Sequence, residues 1–80
     1  MTYKAIAYTS HALRRLQRRG VSRADVRSIL ATGLPLPDQT NEAGDVYHEK
    51  MGRLGARDVG VVYLEDAHRI LVITVERFGE

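Results

Sequence analysis

The stretch SHALRRLQRRGVSRADVRSILATG, residues 10–33, contains the start and stop signals of two consecutive helices. Ser10 is a residue type favoured at helix N-caps, and apolar residues follow it at helical spacing. Gly20 is the residue type that most often ends a helix in the left-handed conformation. These signals predict a first helix over residues 11 to about 19.

A second helix is indicated by the residues that follow this glycine. Ser22 is a further N-cap, and Asp25 stands three residues later, which is the spacing of a capping box with Asp in place of the usual Glu. Gly33 is positioned to end the helix. The sequence therefore predicts a helix over residues 23 to about 31.

Beyond residue 44 the pattern changes to the alternation and β-branched content of strands. Strands are predicted over residues 45–51 (DVYHEKM), 57–64 (RDVGVVYL) and 69–78 (RILVITVERF). Turns are predicted over residues 52–55 and 65–68, which makes the three strands an antiparallel meander. Because the last strand is apolar on both faces, it is expected in the interior of the sheet.

The segments on either side of the helix pair have weaker signals. Residues 34–44 (LPLPDQTNEAG) contain two prolines, which cannot continue a helix, and are expected to form an extended loop. Residues 3–8 (YKAIAY) favour a short strand at an edge of the sheet. We therefore expect a single α+β domain over residues 1–80, with two N-terminal helices followed by a three- to four-stranded antiparallel sheet.

The composition excludes several functional classes. The chain has no cysteine, so disulfides, thiolate metal sites and cysteine nucleophiles are excluded. No apolar run approaches the roughly 20 residues of a membrane span, and a cytoplasmic location is expected. An 80-residue domain has too thin a core for a large cofactor pocket, and His11, His48 and His68 lack the spacing of metal ligands. We therefore expect neither a cofactor nor a metal.

Basic residues are concentrated in the first third of the chain. Residues 1–27 contain seven Lys or Arg and one acid, whereas residues 28–80 contain five Lys or Arg and nine acids. Ten of the twelve basic residues are Arg, which forms bidentate contacts with phosphate. This distribution favours a polyanionic partner such as a nucleic acid, although a solvated charged helix face would have the same composition.

One face of the first predicted helix is basic along its whole length. At about 100° per residue, His11, Arg15 and Arg19 lie on one ridge beside the apolar stripe. Arg14 and Arg18 add positive charge elsewhere, and the helix contains no acid to relieve the repulsion. A bound phosphate would relieve it, so we expect Arg15 and Arg19 to bind phosphate and His11 to act in acid–base chemistry.

Residues 10–22, SHALRRLQRRGVS, resemble the motif S-x-H-A-x-x-R-[LM]-x-x-R-G-[IV]-S, which opens the family called domain of unknown function 4258. The resemblance continues through the second helix and ends in a strand of the form V-[IV]-T-V, here residues 72–75. It implies a relation to the RelE/barnase-like small ribonucleases, many of which are toxins of toxin–antitoxin pairs. The fold it implies is two helices followed by an antiparallel sheet that binds RNA.

The activity implied by the resemblance is metal-independent cleavage of RNA, in which the 2′-hydroxyl attacks its own phosphate. His11 would be the base or the acid, and Arg15 and Arg19 would stabilise the phosphate. Thr74 would orient the phosphate, and Tyr47 is the candidate for a second catalytic group. Further candidates for RNA or phosphate contacts, or for assistance from the first strand after the loop, are Arg14, Arg18, His48, Lys50 and Arg53. RNA and a cognate antitoxin protein would be the partners.

Two other functions are compatible with the same residues. Residues 18–26, RRGVSRADV, resemble the corner of a helix-turn-helix, so a non-catalytic nucleic-acid-binding module is one alternative. A protein-binding domain that uses a sheet edge is the other. Tyr47 and Thr74 also have an ordinary explanation, because tyrosine and β-branched residues are common packing residues in strands.

Overall fold

The computed structural model describes residues 4–78, so the first residue of the predicted 3–8 strand lies outside the described residues. The described residues form two helices and five strands. In chain order these are β1 (Ala5–Tyr8), α1 (Ser10–Arg19), α2 (Arg23–Thr32), β2 (Leu34–Thr40), β3 (Val46–Leu54), β4 (Arg57–Glu65) and β5 (Arg69–Phe78). No helix within residues 4–78 is long and apolar enough to cross a membrane.

The strands form one mixed sheet in the order β1-β5-β4-β3-β2. β2, β3, β4 and β5 pair antiparallel with their neighbours in sequence, and β1 pairs parallel with β5. The expectation of a three- to four-stranded antiparallel sheet was therefore wrong, although the α+β class holds. The sheet is larger because the segments on both sides of the helix pair join it as edge strands. β5 is paired on both sides, which agrees with its apolar sequence.

β2 is the main correction to the secondary structure, because residues 34–40 were expected to be part of a loop. Pro35 and Pro37 each lack an N–H donor, but β2 is an edge strand and pairs on one side only. Its ladder with β3 shifts register between Leu36 and Gln39, which places Pro37 in the irregular segment. An edge position and a bulge are the places where a strand tolerates proline.

α1 begins one residue earlier than predicted, because Thr9 and not Ser10 is its N-cap. The Thr9 hydroxyl accepts a hydrogen bond from the N–H of Ala12 at 3.0 Å and donates to the carbonyl of Ile73 in β5 at 3.1 Å. The cap therefore joins the first turn of the helix to the sheet. α1 ends at Gly20, whose φ of 67° is the predicted left-handed conformation.

α2 has the capping box that the sequence predicts. The N–H of Asp25 donates to Ser22 Oγ at 3.0 Å, and the N–H of Ser22 donates to the Asp25 carboxylate at 2.9 Å. The hydrogen bond from the Ser22 backbone lowers the pKa of Asp25. Gly33 ends the helix with a φ of −69°, outside the left-handed region. Glycine is needed there because a Cβ atom would lie 2.5 Å from the carbonyl oxygen of Ile29.

The buried core lies between the helices and one face of the sheet, and all its members are hydrophobic. The strands contribute mainly valine, whose branched side chain suits a buried sheet face. The core residues are Ala12, Leu16, Val21, Val26, Ile29, Leu30, Val59, Val61, Tyr63, Val72 and Val75. Side chains that alternate with them in the strands point to the opposite face, which no described helix covers. We call this second surface the uncovered face.

Two basic side chains of the strands bind the C-terminal carbonyl groups of the helices. Lys50 of β3 donates to the carbonyl of Leu30 at 2.7 Å. Arg57 of β4 donates to the carbonyl of Arg19 at 2.7 Å and to that of Gly20 at 3.3 Å. Helix C-termini present unpaired carbonyl groups and partial negative charge, so both contacts stabilise the fold.

Gly52 of β3 allows α2 to approach the sheet closely. A Cβ atom at Gly52 would lie 2.6 Å from Cγ1 of Ile29. We expect Gly52→Ala to lower the free energy of unfolding by about 1–3 kcal/mol, measured by urea denaturation, because the core would be overpacked. In an Ile29→Ala background the same substitution should cost much less, because the clashing atom is absent. Equal costs in both backgrounds would show that this contact is not the cause.

Candidate active site

His11, Arg15 and Thr74 meet where α1 begins beside β5. The Nε2 atom of His11 lies 3.2 Å from the Thr74 hydroxyl oxygen and 3.4 Å from Nε of Arg15. Because the Nε–H group of Arg15 can only donate, this contact places a lone pair on His11 Nε2. His11 is exposed and the other two residues are half-buried, so a ligand can reach the cluster. We call these three residues the His11 cluster.

Backbone geometry at the end of β1 assembles this cluster. The N–H of Thr9 donates to the carbonyl of Val72 at 3.1 Å at the point where β1 leaves the sheet. The next residue of β5, Ile73, has no partner in the register with β4 and forms a bulge. Bulges redirect side chains and are frequent beside active sites. His11, in the first turn after Thr9, therefore lies against Thr74, which follows the bulge.

The predicted basic ridge of α1 is only partly gathered in this cluster. His11 and Arg15 are in contact, whereas Arg19 lies at the other end of the helix, about 12 Å away along its axis. Arg14 and Arg18 are exposed on α1, and neither side chain has a hydrogen bond or ion pair within residues 4–78. Among the basic residues of α1, Arg15 thus contacts the imidazole of His11, whereas Arg14 and Arg18 are exposed elsewhere on the helix.

The candidate side chains Tyr47 and His48 of β3 do not converge on His11. The Tyr47 hydroxyl accepts a hydrogen bond from Asn41 Nδ2 at 3.2 Å, in the loop before the strand. His48 Nδ1 lies 2.9 Å from a carboxylate oxygen of Asp38. No group of three or more potential metal ligands forms around them or elsewhere within residues 4–78.

Lys50 and Arg53, which were expected to contact RNA, both have partners in the fold. Lys50 binds the carbonyl of Leu30 at the end of α2, on the face of the sheet that the helices cover. Arg53 lies 3.8 Å from the carboxylate of Asp58 in an exposed pair. Neither side chain contacts the His11 cluster.

A row of side chains crosses the uncovered face from Thr74 to Glu49. Thr74 of β5 and Glu49 of β3 are both register partners of Val62 in β4, so all three side chains lie on the same face. Adjacent strands are about 4.8 Å apart, which separates the backbones of Thr74 and Glu49 by about 10 Å. The row therefore begins at the His11 cluster and ends at a carboxyl group.

Glu49 has a second carboxyl group as a neighbour, that of Glu76 in β5. Burial raises the pKa of Glu49, and the hydrogen bond to Glu76 and the repulsion between the two charges raise it further. Oε2 of Glu49 is enclosed and has no donor group within residues 4–78. A carboxyl group with a raised pKa keeps its proton to a higher pH, so Glu49 is a candidate general acid.

Gly60 of β4 makes room for Glu49 and Phe78. A Cβ atom there would lie 2.5 Å from Oε2 of Glu49 and 2.8 Å from the ring of Phe78, so both groups lie close against the sheet. Sequence reasoning missed Glu49 and Glu76, because each reads as an ordinary solvent-facing residue of a strand. The available signal was a glycine inside the valine-rich β4, since glycine in a strand often marks a close approach to the backbone.

A comparison of the sequence with protein-family models assigns the chain to a family. The family model described as Domain of unknown function (DUF4258) matches residues 8–77, a range that contains the His11 cluster and the Glu49–Glu76 pair. The chain belongs to the DUF4258 family. No curated protein and no solved structure matches it. The family resemblance of residues 10–22 is thus confirmed, and the candidate site residues lie within the matched range.

The raised pKa of Glu49 makes one contribution to how the stability of the DUF4258 domain depends on pH. A carboxyl group whose pKa is raised by folding stabilises the fold below its unfolded pKa, and this contribution is lost as the pH rises through the folded value. We expect Glu49→Gln, which cannot ionise, to raise the melting temperature more at about pH 7 than at about pH 4. Thermal unfolding followed by circular dichroism measures this difference.

Glu42→Gln is the matched control for this prediction, because Glu42 is an exposed carboxyl group in the loop before β3. Its melting temperature should follow that of the unaltered protein at both pH values. A Glu49→Gln effect of the same size at both pH values would contradict a raised pKa of Glu49.

Proposed function

We propose that this DUF4258 protein is a small metal-independent endoribonuclease that uses the RNA 2′-hydroxyl as its nucleophile. The observation that supports it best is the contact of His11 Nε2 with Thr74 at 3.2 Å and with Arg15 at 3.4 Å. One open cluster thus combines an imidazole, a guanidinium group and a hydroxyl group. The relation to RelE/barnase-like ribonucleases that the helix motif implies is part of the same proposal.

The reaction needs a base, an acid and positive charge near the phosphorus. The base removes the proton of the 2′-hydroxyl, whose oxygen forms a bond to phosphorus while the bond to the 5′-oxygen breaks. The acid gives its proton to that 5′-oxygen. The products are a 2′,3′-cyclic phosphate and a free 5′-hydroxyl, and no further reactant is consumed.

In this proposal His11 is the base. Its Nε2 lone pair faces the Arg15 N–H and the Thr74 hydroxyl, so an RNA 2′-hydroxyl can take the place of Thr74 as a donor. Arg15 adjoins the same atom and stabilises the charge that develops on the phosphate in the transition state. Thr74 is then available to hydrogen bond to a phosphate oxygen.

The acid is Glu49, whose pKa is raised by burial and by the neighbouring Glu76. Glu49 lies on the same face as Thr74, about 10 Å from it across β4. A carboxyl group with a raised pKa keeps its proton to a higher pH and can therefore donate it. Glu49 takes the role for which Tyr47 was the sequence candidate, because the Tyr47 hydroxyl is bound to Asn41.

Exposed arginines extend the positive surface beyond the cluster. Arg14 and Arg18 have no partner within residues 4–78 and are exposed on the helix that contains His11. Guanidinium groups bind phosphate in a bidentate manner, so both residues are suited to phosphates that neighbour the cleaved one. Their contribution to binding should weaken as salt increases.

RNA cleavage in the presence of EDTA tests the proposal. We expect the purified protein to cut single-stranded RNA into products with 2′,3′-cyclic phosphate ends, identified by mass spectrometry. His11→Ala should lower kcat/KM by about 10²- to 10⁴-fold, the usual contribution of a general acid or base. His68→Ala is the matched control and should keep full activity, because His68 is exposed in the turn between β4 and β5.

Two results would contradict a ribonuclease active at His11. Intact RNA, together with duplex DNA binding that weakens steeply with salt, would identify a non-catalytic nucleic-acid-binding module. RNA cleavage that continues at full rate in His11→Ala would place the chemistry at other residues.

The proposal includes the biological role of a toxin in a toxin–antitoxin pair. A ribonuclease expressed without a neutralising partner degrades cellular RNA, so we expect growth arrest when this chain is induced alone in a bacterium. His11→Ala, expressed at the same level, should restore growth, as followed by culture density. Arrest by a variant that no longer cleaves RNA would separate the toxic effect from catalysis.

A further inference from the structure

A second surface, on the helix-covered side of the sheet, forms a cleft between β1 and α2. Its volume is about 690 Å³, within the range of roughly 300–1,000 Å³ that is usual for ligand sites. Ile6, Leu30 and Ile70 form an apolar floor. None of the three residues of the His11 cluster lines this cleft, so it is a separate site.

Arg23 and Arg27 give the cleft a positive charge. They lie one turn apart on α2, both line the cleft, and neither guanidinium group has an ion pair within residues 4–78. The Arg23 guanidinium lies 5.2 Å from the centre of the Tyr8 ring. Burial raises the pKa of the Tyr8 hydroxyl, and the positive charges of the two arginines oppose this rise. Like charges at this spacing repel each other, so an anion between them would be stabilising.

The nearby acidic residues do not neutralise this charge. Asp25 of α2 is held by the backbone N–H of Ser22 in the capping box. Glu65 is paired with Lys4 at 2.7 Å, on the β1 side of the cleft. The positive charge of the cleft is therefore available to an acidic partner.

β1 borders the cleft and is the outermost strand on its side of the sheet. The N–H of Thr9 donates to the carbonyl of Val72, and backbone groups alternate in direction along a strand. The N–H and carbonyl groups of Ile6 and Tyr8 therefore point away from β5, toward the free edge. The side chains of the same two residues line the cleft, so unpaired backbone groups adjoin an apolar pocket.

We infer that this edge and cleft bind an acidic, extended segment of a partner protein. The segment pairs with Ile6 and Tyr8 as a further strand beside β1. Its alternate side chains are apolar and enter the cleft, while its acidic side chains contact Arg23 and Arg27. In this mode of recognition the main-chain hydrogen bonds provide affinity and the pockets for alternate side chains provide specificity. The inference does not depend on RNA cleavage.

A protein segment fits this surface better than RNA does. The floor consists of aliphatic side chains, whereas single-stranded RNA is bound by stacking of bases on exposed aromatic rings. Tyr8 supplies an aromatic ring in the lining, but Arg23 already lies over it. The free backbone edge of β1 is complementary to another peptide backbone and has no counterpart in a nucleic acid.

The test is a titration of the full chain, labelled with ¹⁵N, with a synthetic peptide of alternating glutamate and valine. We expect backbone amide shifts at Ile6, Tyr8 and the first turns of α2, and the affinity is measured by fluorescence anisotropy of a labelled peptide. A lysine–valine peptide and a glutamate–serine peptide should each bind about ten-fold more weakly, because each lacks one of the two required features. A glutamate–valine peptide methylated on its backbone nitrogens should bind more weakly by a similar factor, because it cannot pair with β1.

Paired variants of the protein test the charge. Arg23→Gln combined with Arg27→Gln should weaken binding of the glutamate–valine peptide by about ten-fold at low salt. Arg14→Gln combined with Arg18→Gln is the matched control, since it removes the same charge at the same spacing from α1 and should keep the affinity. All four arginines are exposed, so the fold should persist, and circular dichroism checks that it does.

Several results would overturn the inference. One is the absence of shifts at Ile6 and Tyr8 at millimolar peptide, and another is equal binding of the methylated peptide. Equal losses in the two paired variants would show that the charge effect is not local to the cleft. An RNA oligonucleotide that displaces the peptide and shifts the same residues would assign the cleft to nucleic acid. Peptide binding is measured without RNA cleavage, so it can fail while the ribonuclease proposal succeeds, and the reverse is equally distinguishable.

Discussion

The hydroxyl group of Thr9 fixes the position of the first helix on the sheet. It accepts from the N–H of Ala12 and donates to the carbonyl of Ile73, so α1 cannot slide along β5 without breaking one of these hydrogen bonds. The apolar core beneath the helix could not impose this position alone, because hydrophobic contact is non-directional. His11 lies in the turn that Thr9 caps, and Thr74 is the neighbour of Ile73. One side chain therefore sets both the docking of the helix and the contact on which the site depends.

The parts of the fold that could be predicted from sequence are those determined by contacts within a few residues. The capping box of Ser22 and Asp25 and the left-handed Gly20 are local devices, and both bounded the helices correctly. The two edge strands could not be predicted in the same way, because their stability comes from partners far along the chain. Pro35 argues against a strand until its edge position is known. Gly33 was correctly placed at a helix end, but the reason is a close contact and not a positive φ.

The site was predictable to the same limited extent. The contact of His11 with Arg15 follows from the spacing of four residues on a helix, which the sequence displays directly. The approach of Thr74 to His11 depends on a bulge in β5, and no feature of the local sequence predicts the extra residue. Glu49 and Glu76 meet across β4, so their interaction requires the strand order and the register of two ladders. The sequence therefore indicated the proposed base, His11, whereas the proposed acid, Glu49, is recognised only from the pairing of the strands.

The Glu49–Glu76 pair opposes the stability of a small domain, which makes a purely structural role a poor explanation for it. An 80-residue chain with a valine-rich core buries little surface. At neutral pH a carboxyl group with a raised pKa favours the unfolded state, where it ionises without a neighbouring charge. Glutamine at position 49 would relieve this cost. Groups perturbed in this way are concentrated at functional sites. A lone pair at His11 and a raised pKa at Glu49, at opposite ends of one row, are the properties that the proposed reaction asks of its base and its acid.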